Sequence, residues 1–429
     1  MSEQPTEELV VSIDINDDMT YISYASLKGK GVTTLASKQD AEKYGIPTLM
    51  YMNEDTKKWS FGANAYARSQ SKGGRLYDKI LSEVLEKEEP EEEAKKRLAT
   101  FLAHSLELAA IAVDKEYMNP SFAALAICLK EVDARIIKLM EACITPLKNV
   151  VRDIRFITRN ESFYYYTLSQ PPEIWRSSVM LVDYSREGCH LSHLRLDRGM
   201  DYSIASIEEE QYPELLPFDE ENTEAMDEKL LTHLKKTFSE EVEAGGIKVS
   251  SVYLSGLNLE GNWAKKTLNY LCSGRRVFQG QNLYSKGACY AIRDQLTRGF
   301  ISKNFYFQSG NKVNYDIGIR MIHKGAEVIS KLAGAGTSWY DLRCETDVML
   351  GESRDVEVVL KSFPEGDESN HLIRLVTFPE RPKRACRINI RMYMENRDEL
   401  KVEVTDRGLG ELIPASGIMI SETINLGNR

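Results

Sequence analysis

The sequence predicts an α/β domain over residues 8–295, followed by an all-β domain over residues 305–429. In the first region, short apolar runs alternate with segments of helical spacing, which is typical of α/β domains. In the second region, apolar residues alternate along short segments such as Val356, Val358 and Leu360, which indicates an antiparallel β-sandwich. The pattern changes between residues 293 and 312, and this change places the boundary.

One stretch of the α/β region has the form of a strand, a tight turn and a returning strand. It runs from Val179 to Gly199, with Asp183 ending the first apolar run and a turn from Ser185 to Gly188. In a nucleotide-binding fold, such a turn can present backbone N–H groups to phosphate. Two other stretches have a related design: Val10 to Tyr24, with Asp14 at the end of the first strand, and Ser251 to Asn258, which contains Gly256.

These three stretches resemble the actin/sugar-kinase/heat-shock-chaperone superfamily, and most closely the seventy-kilodalton heat-shock chaperones. Members carry two phosphate loops, each a strand–Asp–turn–strand unit, and a later adenosine loop that contains glycine. The resemblance implies an actin-like (ribonuclease-H-like) nucleotide-binding domain, followed by a β-sandwich similar to the chaperone substrate-binding domain. Further segments agree in order and spacing: Gly45–Tyr51 with Phe61–Ala65 (the family's "IPS…V.FG..A"), Arg159–Ser162 (its "NEP"), Gly280 followed by Leu283–Ala288 (its "PDEAVAYGAA"), and Leu375–Pro379 with the hairpin Arg387–Leu412. We expect no C-terminal helical lid, because the last predicted strand ends shortly before Arg429.

The resemblance implies a catalytic and metal-binding role for three acidic residues. Asp14 and Asp183 would orient Mg²⁺ and its waters, because that ion favours one or two carboxylates together with phosphate oxygens. Glu161 would position the attacking water. The alternative for the two aspartates is that their side chains cap the turns that follow them.

The remaining implied site residues would contact the nucleotide, which would be ATP or ADP with Mg²⁺. Small residues would let the purine ring approach the backbone on the adenosine side. Lys72 and Lys79 are both in range for the family's phosphate-contacting lysine, and the sequence does not choose between them. The residues implied on the phosphate side are Asn16, Ser185 and Gly188, and those on the adenosine side are Gly256 and Gly287.

Both phosphate loops depart from the family pattern at the positions where phosphate would bind. Glycine is used there because it reaches positive φ without steric cost, whereas carboxylates repel a polyphosphate unless a metal intervenes. The sequence therefore predicts a degenerate nucleotide site that does not hydrolyse ATP. The departures are Asn16 at a family glycine, Asp17 and Asp18 at a threonine pair, Ser185, Arg186 and Glu187 at three successive glycines, and His190 at a later aspartate.

We therefore expect a chaperone-like protein-binding or scaffold protein rather than an enzyme. The β-domain would bind a polypeptide or protein partner, which requires apolar side chains facing outward between strands. The α/β domain would serve as a scaffold or a weak nucleotide sensor. Three alternatives stay open: an active ATP-dependent chaperone, a small-molecule kinase of the same superfamily, and a filament-forming cytoskeletal protein.

Composition excludes several other classes of protein. The chain has 429 residues, with 65 acidic against 55 basic residues and a net charge of −10, which argues against a nucleic-acid partner. No apolar run reaches the roughly 18 residues of a membrane span, and the polar start of the chain does not resemble a signal peptide. The seven cysteines are dispersed without a C-x-x-C pair, which is typical of reduced thiols, so we expect a cytoplasmic protein.

Two local patterns give further expectations. Leu76, Ile80 and Val84 recur at helical spacing, which predicts a helix over residues 63–85. His190 and His193 invite assignment as metal ligands. An odd separation on a strand points them to opposite faces, so we expect them not to share one ion.

Overall fold

A computed structural model describes residues 6–36, 44–70, 73–199, 202–243, 248–351, 354–382 and 385–427. The chain divides into two compact units, Met1–Phe307 and Gln308–Arg429. The first unit contains helices and mixed sheets, and the second contains antiparallel sheets. The prediction of an α/β region followed by an all-β region is therefore confirmed.

The first unit is built from two halves that follow one another along the chain. The first half runs β1 (Glu7–Ile15), β2 (Met19–Ser26), β3 (Thr33–Thr34), β4 (Ile46–Pro47), β5 (Met50–Asn53), β6 (Trp59–Phe61), α1 (Gly62–Ser69), β7 (Gly74–Tyr77), α2 (Ser82–Leu85), α3 (Glu92–Glu116), β8 (Pro120–Leu129), α4 (Ala134–Ile144), β9 (Asp153–Thr158) and α5 (Arg159–Leu168). The second half runs α6 (Pro172–Trp175), β10 (Ser178–Ser185), β11 (Gly188–Arg198), β12 (Ser203–Gln211), α7 (Thr223–Glu243), β13 (Val249–Ser255), α8 (Lys265–Cys272), β14 (Arg276–Gln279), α9 (Leu283–Thr297), α10 (Phe300–Asn304) and β15 (Phe305–Gln308).

The two halves repeat one sheet topology. The first sheet has the order β3-β2-β1-β8-β9, and the second contains the order β12-β11-β10-β13-β14. In each, the central strand pairs antiparallel with the returning strand of its hairpin and parallel with the strand on its other side. The strand–Asp–turn–strand unit that the resemblance implies is therefore present twice, with β1 and β10 in equivalent positions.

Helices α5 and α9 lie in one hydrophobic core with residues from both sheets. This core includes Val10 of β1, Leu181 of β10, Tyr164 of α5 and Ala288 of α9. The side chain of Thr158 accepts a hydrogen bond from the backbone N–H of Glu161 at 3.1 Å, so α5 begins with an N-cap directly after β9. This cap fixes the first residues of α5, which include Arg159, at the carboxyl end of β9.

The predicted helix over residues 63–85 is wrong in its middle. Helix α1 ends at Ser69, β7 pairs antiparallel with β5, and a short helix α2 follows. Gly73 has a φ of +113°, which a helix does not accommodate. The pairing of Leu76 with Tyr51 in the sheet then outweighs the helical spacing of the apolar residues.

The second unit consists of antiparallel sheets with the orders β17-β16-β19-β20 and β18-β21-β22-β23. The hairpin predicted from Arg387 to Leu412 is confirmed, because β21 and β22 pair along their length. Along β21, Ile388, Ile390 and Met392 are buried and the intervening Arg391 is exposed, as alternation predicts. The strands are β16 (Tyr315–His323), β17 (Ala326–Ala333), β18 (Arg343–Met349), β19 (Asp355–Ser362), β20 (Glu368–Arg374), β21 (Arg387–Asn396), β22 (Glu399–Glu411) and β23 (Met419–Asn425).

Candidate functional site

Asp14 and Asp183 occupy equivalent positions near the ends of the central strands of the two halves. Asp14 of β1 lies beside Cys128 of the parallel strand β8, and Asp183 of β10 lies beside Ser255 of the parallel strand β13. Both are buried, at 1 % and 6 % exposure. The crevice at the carboxyl ends of parallel strands is where open α/β sheets bind ligands. The position of the two carboxylates therefore agrees with a ligand site at the carboxyl ends of these strands.

A third residue, Arg159 at the start of α5, lies next to these carboxylates. Its Nε is 3.6 Å from Oδ1 of Asp14, which is an ion pair but longer than a hydrogen bond. Its guanidinium also lies over the ring of Tyr284, 5.0 Å from the centroid, and the Tyr284 hydroxyl donates to Oδ2 of Asp183 at 2.7 Å. Arg159 and Tyr284 thus link the two buried aspartates.

The electrostatics of this cluster show which charges it accommodates. Burial raises the pKa of Asp14 to about 6, and the positive charge of Arg159 opposes that rise. Burial alone would lower the pKa of Arg159, but the charges of Asp14 and Asp183 outweigh it and raise the pKa. Arg159 is therefore a permanent cation beside the two carboxylates, where the resemblance would place Mg²⁺. The residues do not fit that ion, because a guanidinium repels it and cannot act as a ligand.

The turn between β1 and β2 uses its polar side chains within the protein. Oδ1 of Asn16 accepts hydrogen bonds from the N–H groups of Asp18 and Met19, at 2.9 and 2.8 Å. Oδ1 of Asp17 accepts the N–H groups of Leu81 and Ser82 at the start of α2, at 2.8 and 3.2 Å. The backbone N–H groups of Asp18 and Met19 are therefore already bonded within the turn, and the carboxylate of Asp17 is bonded to α2.

The turn between β10 and β11 is tied to the first half of the unit by ion pairs. Nη1 of Arg186 lies 2.9 Å from Oδ1 of Asp18. Oε2 of Glu187 lies 3.3 Å from Nζ of Lys130. Both pairs include exposed side chains, so each contributes at most about 1 kcal/mol. Their consequence is geometric, because the Arg186–Asp18 pair joins the two turns directly and the Glu187–Lys130 pair joins the second turn to the segment after β8.

Ser185 and Gly188 complete this second turn. The Ser185 hydroxyl accepts the N–H of Glu187 at 3.3 Å, and its carbonyl accepts Nδ2 of Asn258 at 2.9 Å. Gly188 pairs with Ser185 across the hairpin and has a φ of +138°. At least one N–H of the turn is therefore already bonded, and the expected phosphate contacts of Ser185 and Gly188 stay predictions.

Glu161 lies in the first turn of α5 and is 1 % exposed. Its Oε1 accepts a hydrogen bond from Nε2 of Gln295 on α9 at 3.2 Å. The structure thus places Glu161 in the packing of α5 against α9, and its role in positioning water stays a prediction.

Two glycines assigned to the adenosine side are required by close packing. A Cβ on Gly256, which has a φ of +99°, would lie 2.2 Å from the carbonyl oxygen of Tyr184, and the Gly256 N–H is bonded to Oε1 of Gln281. A Cβ on Gly287 would lie 2.0 Å from the carbonyl oxygen of Ser162, so this glycine lets α9 approach α5. The packing accounts for both glycines, and their contact with a purine stays a prediction.

A cavity of about 1150 Å³ in the first unit is lined by both turns. Arg159, which pairs with the buried Asp14, is among its lining residues. Lys79 also lines the cavity, whereas Lys72 lies outside the described residues. Lys79 therefore lies beside the turns, and the choice between the two lysines stays open.

The two histidines that the sequence raised as metal ligands lie on one strand. His190 and His193 both lie on β11, opposite Asp183 and Met180 respectively, so the odd separation has the expected effect. Burial lowers the pKa of both imidazoles, to about 4 for His193. Within the described ranges, no group of three or more His, Cys, Asp or Glu side chains is arranged to hold an ion. Of the helices that the structure describes, none is both long and apolar enough to cross a membrane.

Sequence reasoning did not identify Arg159 and Tyr284 as members of this site. Both lie in segments that it selected, the first beside Asn160 and Glu161, and the second in the Leu283–Ala288 segment. The sequence did contain one indication, because Arg159 directly follows a predicted strand. An arginine in that position lies at the same end of the sheet as the two aspartates.

Comparison with known proteins gives a family but not an activity. A family model described as "Family of unknown function (DUF5716) C-terminal" matches residues 31–309, which is more than half of the chain. The chain belongs to this family. Residues 312–426 of this DUF5716 family member also match a model described as "Domain of unknown function (DUF8552)". No curated protein matches the sequence.

Solved structures with a related chain path include two of MamK. One is a non-polymerising mutant bound to AMPPNP, with 9 % identity and a TM-score of 0.39, covering 67 % of this chain and 99 % of that one. The other is a double helical filament, with 10 % identity and a TM-score of 0.40, covering 68 % of this chain and 99 % of that one. At these values, neither the ligand nor the filament of MamK transfers to this DUF5716 family member.

Proposed function

We propose that this protein is a chaperone-like, protein-binding scaffold with an actin-like first unit whose nucleotide site is degenerate and does not hydrolyse ATP. The observation that carries the proposal is Arg159, a buried cation paired with Asp14 and linked through Tyr284 to Asp183. In a phosphoryl-transfer site, metal ions bridge the phosphates and neutralise the developing charge. Here an arginine supplies the positive charge permanently, so no ion is needed to hold the two carboxylates.

The two turns support the same proposal. Asp17 holds the start of α2, and Asp18 pairs with Arg186 of the other turn. In a nucleotide-dependent protein of this type, the ligand would connect the two turns. In this chain, the ion pair between Arg186 and Asp18 connects the two turns directly, which supports a first unit that does not depend on nucleotide.

The partner would bind to the second unit. Its edge strands β17 and β20 carry exposed apolar side chains, with Ile329 at 44 % and Leu372 at 50 % exposure. An edge strand presents unpaired backbone N–H and C=O groups, and an extended polypeptide can add to it. These strands are our candidates for the polypeptide contact.

Calorimetric titration with ATP and ADP, each with and without Mg²⁺, tests the proposal. We expect no Mg²⁺-dependent heat up to millimolar nucleotide and no release of phosphate. Micromolar binding that requires Mg²⁺, with turnover that disappears in Glu161→Ala, would instead establish the active ATP-dependent chaperone. Transfer of phosphate to a small acceptor would identify a kinase, and light scattering that rises with protein concentration would identify a filament.

A further inference from the structure

Apolar side chains form part of the lining of the cavity beside the two turns, and we call this part its floor. Its volume of about 1150 Å³ is slightly larger than the 300–1000 Å³ that is usual for small-molecule pockets. Tyr66 lines it and is 59 % exposed. Partly exposed side chains that share this apolar character are Met19, Leu49, Leu76, Leu81, Leu85, Ile136 and Leu257. This apolar surface is in contact with water unless another molecule binds there, and such a molecule would gain free energy by burying the surface.

The charges around this floor are mainly negative. Asp78, Glu86 and Glu131 line the cavity, are exposed, and make no ion pair within the described ranges. In contrast, Arg186 and Lys130 on the same wall are paired with Asp18 and Glu187.

The remaining cations change this balance little. Arg159 is paired with Asp14, so Lys79 is the lining cation for which the described residues supply no acidic partner. The uncompensated charge is therefore acidic, which disfavours a nucleotide and favours a cationic ligand.

We propose that this cavity docks a polypeptide segment in which lysine or arginine residues flank large apolar side chains. This inference rests on the proposed function, because it requires that nucleotide does not occupy the same space. Apolar side chains of the segment would cover the leucines of the floor, and its basic side chains would face Asp78, Glu86 and Glu131. A polyamine satisfies the charges but leaves the floor uncovered, and a nucleic acid is repelled by the carboxylates. The cavity is thus a second polypeptide site, separate from the edge strands of the second unit.

The test is fluorescence anisotropy of the intact protein with a short labelled peptide of leucine and lysine. The reference ligand is the same peptide with glutamate in place of lysine. We expect the lysine peptide to bind and the glutamate peptide to bind at least about tenfold more weakly, which is about 1.4 kcal/mol. Binding of both peptides with equal affinity, or of neither, would overturn the inference.

Two charge-reversed variants separate a local site from the general acidity of the chain. Glu86→Lys/Glu131→Lys changes the rim, and Glu220→Lys/Glu221→Lys makes the same change of net charge at exposed positions away from the cavity. We expect the first variant to weaken binding of the lysine peptide about tenfold and the second to change it less than about twofold. Equal losses in both would show long-range attraction only and refute the site.

A third variant tests the floor without a risk to folding. Tyr66→Ser removes an exposed ring, and we expect several-fold weaker binding of the lysine peptide with no change in the unfolding midpoint. Unchanged affinity would contradict the proposed contact. Nucleotide calorimetry on the wild type is a separate readout. Mg²⁺-dependent ATP binding would overturn the proposed function, whereas loss of peptide binding alone overturns only this inference.

Discussion

Replacing Arg159 by alanine is the most direct perturbation of the buried cluster. The side chain of Asp14 is 2 % exposed, and its pairing with Arg159 is the ion pair that offsets its burial. Removal of one partner of a buried pair typically costs about 3–5 kcal/mol, because an uncompensated charge stays in the interior. We expect a loss of this size in the free energy of unfolding of the first unit at pH 8.

The loss should depend on pH in a defined direction. The pKa of Asp14 is raised from 3.8 to about 6 in the folded protein, so its protonated form contributes stability that is fully present below about pH 4. That contribution is lost as the pH rises through 6. Without Arg159, the pKa of Asp14 rises further, since the opposing positive charge is gone. Arg159→Ala should therefore be destabilised less at pH 5 than at pH 8.

Urea unfolding followed by tryptophan fluorescence measures these differences. Trp59, Trp175 and Trp263 lie in the first unit and Trp339 lies in the second, so all variants carry Trp339→Phe. The signal then comes from the first unit alone.

Three comparisons complete the experiment. Arg186→Ala removes an exposed cation that is also paired with an aspartate, and should cost less than about 1 kcal/mol. Arg159→Ala/Asp14→Asn should recover much of the lost stability, because no charge is left unpaired at Asp14. Arg159→Ala, but not the wild type, should gain stability from millimolar Mg²⁺, since Asp14 loses its cationic partner and no guanidinium repels the ion there. Equal stability of Arg159→Ala and the wild type, or no recovery in the double variant, would refute the internal-cation argument.

The remaining predictions concern single residues in both units. Between pH 4 and 6, the stability of the wild type should fall with rising pH relative to Asp14→Asn, by up to about 3 kcal/mol over two pH units, and urea unfolding at each pH measures it. Gly256→Ala should lower the free energy of unfolding by about 2–4 kcal/mol more than Gly261→Ala in the same assay. Both glycines have a positive φ, but only at Gly256 would the added Cβ meet backbone atoms, those of Tyr184. Asp406→Asn in the second unit should lower the free energy of unfolding by about 3–5 kcal/mol, because this fully buried carboxylate accepts two hydrogen bonds from the side chain of Arg381. Hydrogen exchange of β21 and β22 should show the loss of protection.

The sequence was sufficient to predict the elements whose signal is local. Asp14 and Asp183 each end an apolar run before a turn, and both lie near the carboxyl end of a strand that forms a hairpin with the next, as the pattern predicts. The alternation around Ile388 and Val402 likewise predicted paired strands in the second unit. In these cases the pattern of a few adjacent residues determines both the element and its buried face.

The site could not be completed from the sequence because its remaining contacts are tertiary. Arg159 is an ordinary arginine in its local context, and only the return of β9 to the sheet brings it to Asp14. The sequence indicates that the position of Gly287 has no room for a side chain. The structure shows that the space is taken by Ser162 of another helix rather than by a ligand. Leu76, Ile80 and Val84 recur at helical spacing, and the pairing of residues 74–77 with β5 overrides it.

The departures from the phosphate-loop pattern form a consistent set when their contacts are considered together. If the loops had only lost their function, their polar residues would face solvent without partners. Instead, Asp17 holds the amides of α2, Asp18 pairs with Arg186, and Glu187 pairs with Lys130. Each of these three carboxylates has an internal donor or cation, and under the proposed function these contacts take the place of contacts with a ligand. It follows that removal of Arg159 alone should expose a cation site without creating an ATP site, because both turns would still be closed by their own side chains.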